Sequence, residues 1–495
     1  MLTVLPAFRG IWDDVGMAQN FLSADREQLW LMPASVREWL PEGHLAWFVV
    51  DAVDEFDLAV FVAGYRADGR GGAAYPPRVM VALLVYAYAV GELSSRRIER
   101  RCVEDVAFRV VAANLQPDHA TIARFRVTHA AALAGLFGQV LAMCDQAGLI
   151  RAGLLAVDGT KMGANASREA NRTMEQLAKE LLDAADAQDA AEDALFGDSN
   201  GQAEVPDELR GPGRKAKIRA MLDELKAESE AKSFEAHQRR RSDHEAATGK
   251  PMRGRTPKEG SEAHQSRKHA NMTDPDSRMQ NVRGGGFVQG YNAQIIVTED
   301  QFVVAAEVTN AVVDNGQFQP LVNAAKTNLR GTRVRRHRVR RVVADAGYWN
   351  PDNAATPGVE TFIATGNARR VDRVTRERED RDAVLAQVQA GQISIPDAIE
   401  QLGVSRNRVT QLLKRRRDGV VSPRDLMTAK LATDRGKRVY KKRSASVEPV
   451  FAQLKHNRKM RRFSRRGLEA ANHEWQLMTA THNLLKLWRM SPATA

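Results

Sequence analysis

Three carboxylates follow or flank apolar runs in places where they could gather a metal ion: Asp158 in GLLAVDGTKM, Asp345 in RVVADAGYW and Glu448 in SASVEPVFAQLK. Asp158 is read as ending a first strand and Asp345 as ending a fourth. Glu448 is read as opening the last helix, close to an N-cap at Ser446. Neighbouring strands bring their ends together, and a helix packed on their sheet can lower a glutamate onto them. The matching chemistry is phosphodiester transfer, which builds negative charge on the attacking and leaving oxygens. Two divalent ions about 3.5–4 Å apart stabilise both oxygens. Magnesium takes hard oxygen ligands, usually one or two carboxylates with phosphate and water. Taken singly, each acid has an ordinary reading as a turn residue or helix cap. It is the three matching places that point to a site. No cysteine–histidine cluster offers zinc ligation, and Cys102 and Cys144 read as buried structural thiols.

The elements that must position these acids form an α/β pattern. After the Asp158 strand, YNAQIIVTE and FVVAAEVTN are rich in β-branched residues and are separated only by Asp300 and Gln301, so a hairpin is expected. NGQFQPLVNAAKTNL reads as a helix, Arg341–Trp349 as the fourth strand and Glu360–Thr365 as a fifth. A final helix is expected from about Val447, with Val447, Val450, Phe451 and Leu454 as its apolar stripe. This core spans residues 150–166, 286–366 and 430–490. In front lies an all-α domain, 21–135, where Pro76 and Pro77 precede the apolar run Val79–Val90. SSRRIERR (Ser94–Arg101) and PDHATIARFR (Pro117–Arg126), the latter starting at Asp118 or Thr121, supply two candidate helices with cationic faces. Two insertions interrupt the core. Residues 168–285 are charged, with helical stretches such as TMEQLAKELLDAADAQDAAEDALF and parts disordered by composition, such as RGRTPKEGSEAHQSRKH. Residues 367–430 form the second.

Charge narrows the partners. The chain has 495 residues, a formal net charge of +12 and 43% hydrophobic residues, which fits roughly three globular domains and a polyanionic partner. Between Arg435 and Arg466 stand thirteen Lys or Arg and a single acid, Glu448. A solvated helix would mix both signs, so Lys455, Arg458, Lys459, Arg461 and Arg462 are candidate DNA contacts. Glu448 and Lys455, seven apart, share a helix face. No apolar run reaches the roughly 20 residues that span a bilayer. The N-terminus has no basic region before its apolar residues. A cytoplasmic, nucleoid-associated protein without a membrane partner is expected.

The segment YKKRSASVEPVFAQLKHNRKMRRFSRRG resembles the Tyr–Arg–Glu–Lys signature of bacterial insertion-sequence DDE transposases, matched by Tyr440, Arg443, Glu448 and Lys455. Four residues separate Arg443 from Glu448, where the signature has three. VDGTKM, GGFVQGYNAQ, VADAGYW and EPVFAQLK are similar to the same group. YPPRVMVALLVYAYAVGELSSRRIERRC and PDHATIARFR are similar to its helical N-terminal domain. The resemblance covers roughly 21–165, 270–366 and 425–490. It implies a ribonuclease-H-like mixed sheet with helical insertions. It also implies two Mg²⁺ or Mn²⁺ ions on Asp158, Asp345 and Glu448, with Tyr440, Arg443 and Lys455 facing DNA. Cleavage and strand transfer of an element by direct transesterification would follow, on terminal inverted repeats and target duplex, in a homodimer that joins two ends. A metal-dependent nuclease on the same fold, or an inactive transposase-derived DNA-binding protein, stays open.

One segment lies outside that resemblance. DAVLAQVQAGQISIPDAIEQLGVSRNRVTQLLKRRRDG, residues 382–419, reads as a helix-turn-helix. Ala383–Gln389 gives a first helix. Ser394 caps a second with Pro396 in its opening turn, Gly403 makes the turn, and Ser405 starts a third. Ile399, Leu402, Val409, Leu412 and Leu413 face inward. That leaves Arg406, Asn407, Arg408 and Gln411 to read bases, or the segment merely braces the core or a partner subunit.

Overall fold

Proline at the first helical position costs no hydrogen bond, because that N–H has no partner inside the helix. Pro77 uses this at the start of α3 (Pro77–Ala89), whose residues Met80 to Ala89 are all buried. A helix apolar all round must lie inside: α3 packs on α1 (Leu45–Asp54) and α5 (Val106–Val111), and the front of the chain is completed by α2 (Ala59–Val62), α4 (Ser95–Glu104), α6 (His119–Thr128) and α7 (Ala130–Gln146). Asp118 caps α6 through Thr121 N at 2.9 Å. The computed structural model describes residues 35–65, 74–173, 269–271, 273–282, 285–332, 337–366, 380–417 and 422–490. The helical and disordered stretches expected within 174–268 therefore lie outside the described residues, as do residues 21–34. Among the described residues no single helix is long and apolar enough to cross a membrane.

The second half of the core is a six-stranded mixed sheet. Its strands are β1 (Leu154–Gly163), β4 (Arg278–Asn281), β5 (Phe287–Thr298), β6 (Val303–Thr309), β7 (Arg341–Ala344) and β8 (Glu360–Ile363); β2 (Asn171–Thr173) and β3 (His269–Asn271) pair separately. β1 runs antiparallel to β5 and parallel to β7, and β7 parallel to β8. Along its other edge β5 pairs with β4 and then with β6. The expected hairpin is there, with Gln301 at φ +64° closing its turn. After β6 comes α8 (Phe318–Gly331), and a short α9 (Pro351–Ala354) follows β7. Helices α10 (380–389), α11 (Ile395–Leu402) and α12 (Arg406–Arg417) come next, then α13 (Pro423–Ala432), α14 (Asp434–Ala452) and α15 (Leu468–Arg489).

Four expectations need correction. Asp158 does not end its strand: β1 continues to Gly163, because β5 is long enough to pair with it throughout. The fourth strand stops at Ala344 rather than Trp349, since Asp345 caps a 3-10 turn through Gly347 N. The sheet reclaims residues 278–281 as β4, inside the stretch read as insertion. Glu448 does not open a helix. α14 begins at Asp434, capped by Thr433, so Glu448 lies far inside it and Ser446 is no cap; the Ser446 hydroxyl donates to Lys442 O.

One continuous apolar cluster runs from Leu45 to Leu485, so the helical front and the sheet share a core. α15 is the shared element, packed on α3, α7 and β6. Cys102 and Cys144 are buried in it, and burial pushes their thiols up to about 11 and about 12.

Candidate active site

The parallel pairing of β1 with β7 ends at Val157 opposite Ala344. The next residue on each strand is an acid: Asp158 and Asp345. Neighbouring strands lie about 4.8 Å apart, so register alone sets the two carboxylates beside one another. Burial raises the Asp158 carboxyl to about 6; Arg443 opposes that rise and the nearby Asp345 adds to it. Arg443 Nη1 donates to Asp158 Oδ2 at 2.7 Å, and Gly159 N donates to Oδ1 at 2.8 Å. Tyr440, one helical turn before Arg443, is half-buried and its hydroxyl is raised by burial, then eased by Arg443. Tyr440 and Arg443 thus lie beside both aspartates.

A third acid stands behind this pair, and sequence reading passed over it. Asp314 Oδ1 accepts from Asn292 Nδ2 at 2.6 Å and Gln294 Nε2 at 2.9 Å, with Lys161 Nζ at 3.8 Å. Gly347 separates it from Asp345: a Cβ there would stand 3.0 Å from Asp314 Oδ2 and 3.1 Å from Asp345 Oδ1. Buried Tyr348 donates to Gln294 Oε1, and its hydroxyl is pushed well up by burial, then by Asp314, Asp158 and Asp345. The signal was available, because VVDNGQF also sets an acid after an apolar strand. Gly159 makes room for this network, since a Cβ would lie 2.4 Å from Gln294 Nε2.

Glu448 is not brought to the pair. It is exposed, and five residues after Arg443 it points about 140° around an α-helix from it. Among the described residues no three Asp, Glu, His or Cys side chains stand close enough to share an ion. Lys455 does return to the strand, donating to Thr160 Oγ1 and Lys161 O, both at 2.9 Å. A π turn over Gln453–Asn457 makes this possible. Lys455 lies inside this turn, whose wider winding turns it part of the way back toward Arg443, from which it would stand about 120° away on an unbroken α-helix. Pro449 sits inside α14 and cannot donate to Ala445 O; Gln301 Nε2 fills that carbonyl at 3.2 Å.

The chain matches two family models: Transposase domain (DUF772) over residues 34–128 and Transposase DDE domain over residues 405–488. The chain is a transposase. Among curated proteins and solved structures none matches it. The DDE match takes in Tyr440, Arg443, Glu448 and Lys455 of the enzyme, while Asp158 and Asp345 lie before it.

The expected DNA contacts of this transposase divide by burial. Lys459, Arg461 and Arg462 are exposed, with Arg461 Nε on Lys455 O and Arg462 Nε on Ala164 O. Arg458 is corrected: it is buried and donates to Tyr88 O, Met478 O and Thr481 Oγ1, so its charge serves the interior. Burial lowers it to about 9. Of the cationic faces on α4 and α6, Arg96, Arg97, Arg100, Arg101 and Arg124 are exposed. Arg126 turns inward to Tyr88, Ser464 and Glu474. Arg406, Asn407, Arg408 and Gln411 are all exposed on α12.

Proposed function

We propose that this transposase cuts the ends of an insertion-sequence element and joins them to target duplex by phosphodiester transesterification, on a ribonuclease-H-like core. The observation that carries the reading is the β1–β7 register, which makes Asp158 and Asp345 neighbours beside Arg443 and Tyr440. The strand order supports it: three antiparallel strands, β1, β5 and β6, followed by parallel β7 and β8 on the far side of β1.

The two aspartates fit one hydrated divalent ion, the arrangement Mg²⁺ or Mn²⁺ takes with one or two carboxylates; bound there, it would act as a Lewis acid on a phosphate oxygen. The like charges of Asp158 and Asp345 favour a cation between them. Arg443 neutralises Asp158, and Tyr440 closes the site beside it. A second ion calls for Glu448. Moving the π turn from 453–457 to just before Pro449 would rotate the helix that follows and bring Glu448 toward the face of Arg443. Such a turn gives up no further backbone hydrogen bond there, since Pro449 has no N–H and Gln301 already holds Ala445 O.

A binding-only protein is the second reading, favoured by the outward position of Glu448. Duplex carrying the inverted repeats that flank the coding region, incubated with Mg²⁺, separates the two. Cleavage and strand transfer by wild type, lost at least 1,000-fold in Asp158→Ala, Asp345→Ala and Glu448→Ala with affinity within about threefold, is expected on the scale of removing a ligand from a catalytic ion. Cleavage without joining would make the enzyme a nuclease. Binding with no cleavage would make it a binding protein.

A further inference from the structure

Between β8 and the helix that carries Arg443, the chain builds a small unit with a core of its own. Leu385 of α10, Ala398 of α11 and Val409 of α12 form a cluster separate from the main one. A capping box starts α11: Ser394 Oγ accepts from Asp397 N, and the Asp397 carboxylate accepts from Ser394 N at 3.0 Å. Gly403, at φ +61°, ends α11 in the left-handed conformation, so α12 starts after only Gly403, Val404 and Ser405. α12 is locked back on α10 by Arg416, whose Nε donates to Gln389 Oε1 and whose Nη1 donates to Asp382 O.

Val409, Leu412 and Leu413 take the inward stripe of α12. Asn407, Gln411 and Lys414 then lie opposite, one turn apart, with Arg406 and Arg408 on the flanks; all five are exposed. The twelve residues of α12 include six Lys or Arg and no acid, whereas Asp397 and Glu400 stay on α11. A surface built only to be solvated would mix its charges on each helix.

We infer that α12 is a base-reading helix, and that the unit 380–417 docks it in the major groove of duplex DNA. The major groove admits one α-helix, where Arg pairs with guanine O6 and N7 and Asn or Gln with adenine N6 and N7. Helix-turn-helix units place the N-terminal residues of the second helix against base edges, which are here Arg406, Asn407 and Gln411. A-form RNA presents a major groove too deep and narrow for side chains to read. An acidic protein would be met by cations, with no use for two amides one turn apart. The duplex partner rests on the transposase identity, but the inference concerns recognition and does not depend on any cleavage step.

The test uses the full chain and a library of duplexes with a randomised stretch of 30 base pairs, enriched through rounds of binding at fixed salt. The wild type is expected to enrich a defined block of bases. Asn407→Ala with Gln411→Ala should lose the preference at adenine positions of that block by about 10- to 100-fold, the range of one bidentate base contact. Arg406→Ala should lose interference by guanine N7 methylation at one position. None of these exposed side chains supports the small core, and the helical circular-dichroism signal should be unchanged. An Asp158→Ala variant should enrich the wild-type block, so a failed strand-transfer assay leaves this reading standing. The same block enriched by a variant combining Arg406→Ala, Asn407→Ala and Gln411→Ala, or no block enriched by wild type, would overturn it.

Discussion

His482 illustrates how a single buried group reports on the whole fold. It lies on α15, its Nε2 bonds to Gln301 O at 3.0 Å and its Nδ1 is buried without a partner. Burial, then the Arg458 charge, lowers it to about 3 from 6.5. Below pH 6.5 the unfolded chain takes a proton that the folded chain refuses, so stability falls as pH drops from about 6.5 toward 3. The slope should approach 1.4 kcal/mol per pH unit within that window. Denaturant midpoints at pH 7.5 and pH 5 should therefore separate in wild type, and separate less by that amount in His482→Phe. Asp158, half-buried, escapes such a penalty in part because Arg443 lies against it. That difference separates an acid at a site from a histidine in a core.

Helix α14 shows how one residue in a helix is linked to a distant loop. Pro449 leaves the Ala445 carbonyl without its helical donor, and Gln301 from the β5–β6 turn supplies one. Gln301→Ala should cost on the order of 0.5–1 kcal/mol, the usual net worth of one hydrogen bond. In a Pro449→Ala background the same change should cost close to nothing, because residue 449 regains an N–H for Ala445 O. A double-mutant cycle in denaturant measures that coupling, and equal costs in both backgrounds would break the link between proline and glutamine. The π turn downstream belongs to the same accounting. Its wider winding carries Lys455 round toward Thr160, to which the ammonium donates.

At the scale of the molecule, the cations sort into those that hold domains together and those that meet solvent. Arg126 and Arg458 lie in the interface between the helical front and α15, where Arg126 pairs with Glu474 and Arg458 spans Tyr88 and Thr481. Arg461 and Arg462 stay on the surface. If the latter pair contacts phosphate, Arg461→Ala with Arg462→Ala should flatten the slope of log K against log salt by about two units on duplex DNA. Arg458→Ala should leave the slope alone and instead lower the thermal midpoint, because three acceptors lose a buried donor. Titrations at several salt concentrations and a melting scan distinguish the two, and a changed slope in Arg458→Ala would return that residue to the DNA surface.

The sequence by itself carried much of this protein. Alternating β-branched runs marked β5 and β6, proline placement marked α3, and Ser394 with Gly403 marked the ends of α11, since these signals act within a few residues of the chain. It also named Asp158, Asp345, Tyr440 and Arg443 before any geometry was known. What it lacked was phase and register across long separations. Asp314 follows an apolar run as Asp158 and Asp345 do, but its partners Asn292, Gln294 and Lys161 come from other strands, which the run itself does not name. Arg458 read as a surface cation because a run of basic residues says nothing about which one turns inward. Glu448 read as the start of a helix, yet α14 begins fourteen residues earlier, and its direction depends on whether the π turn falls before or after it. Only the packed sheet decided that Asp158 and Asp345 stand side by side, because strand register is fixed by which apolar faces must be buried together.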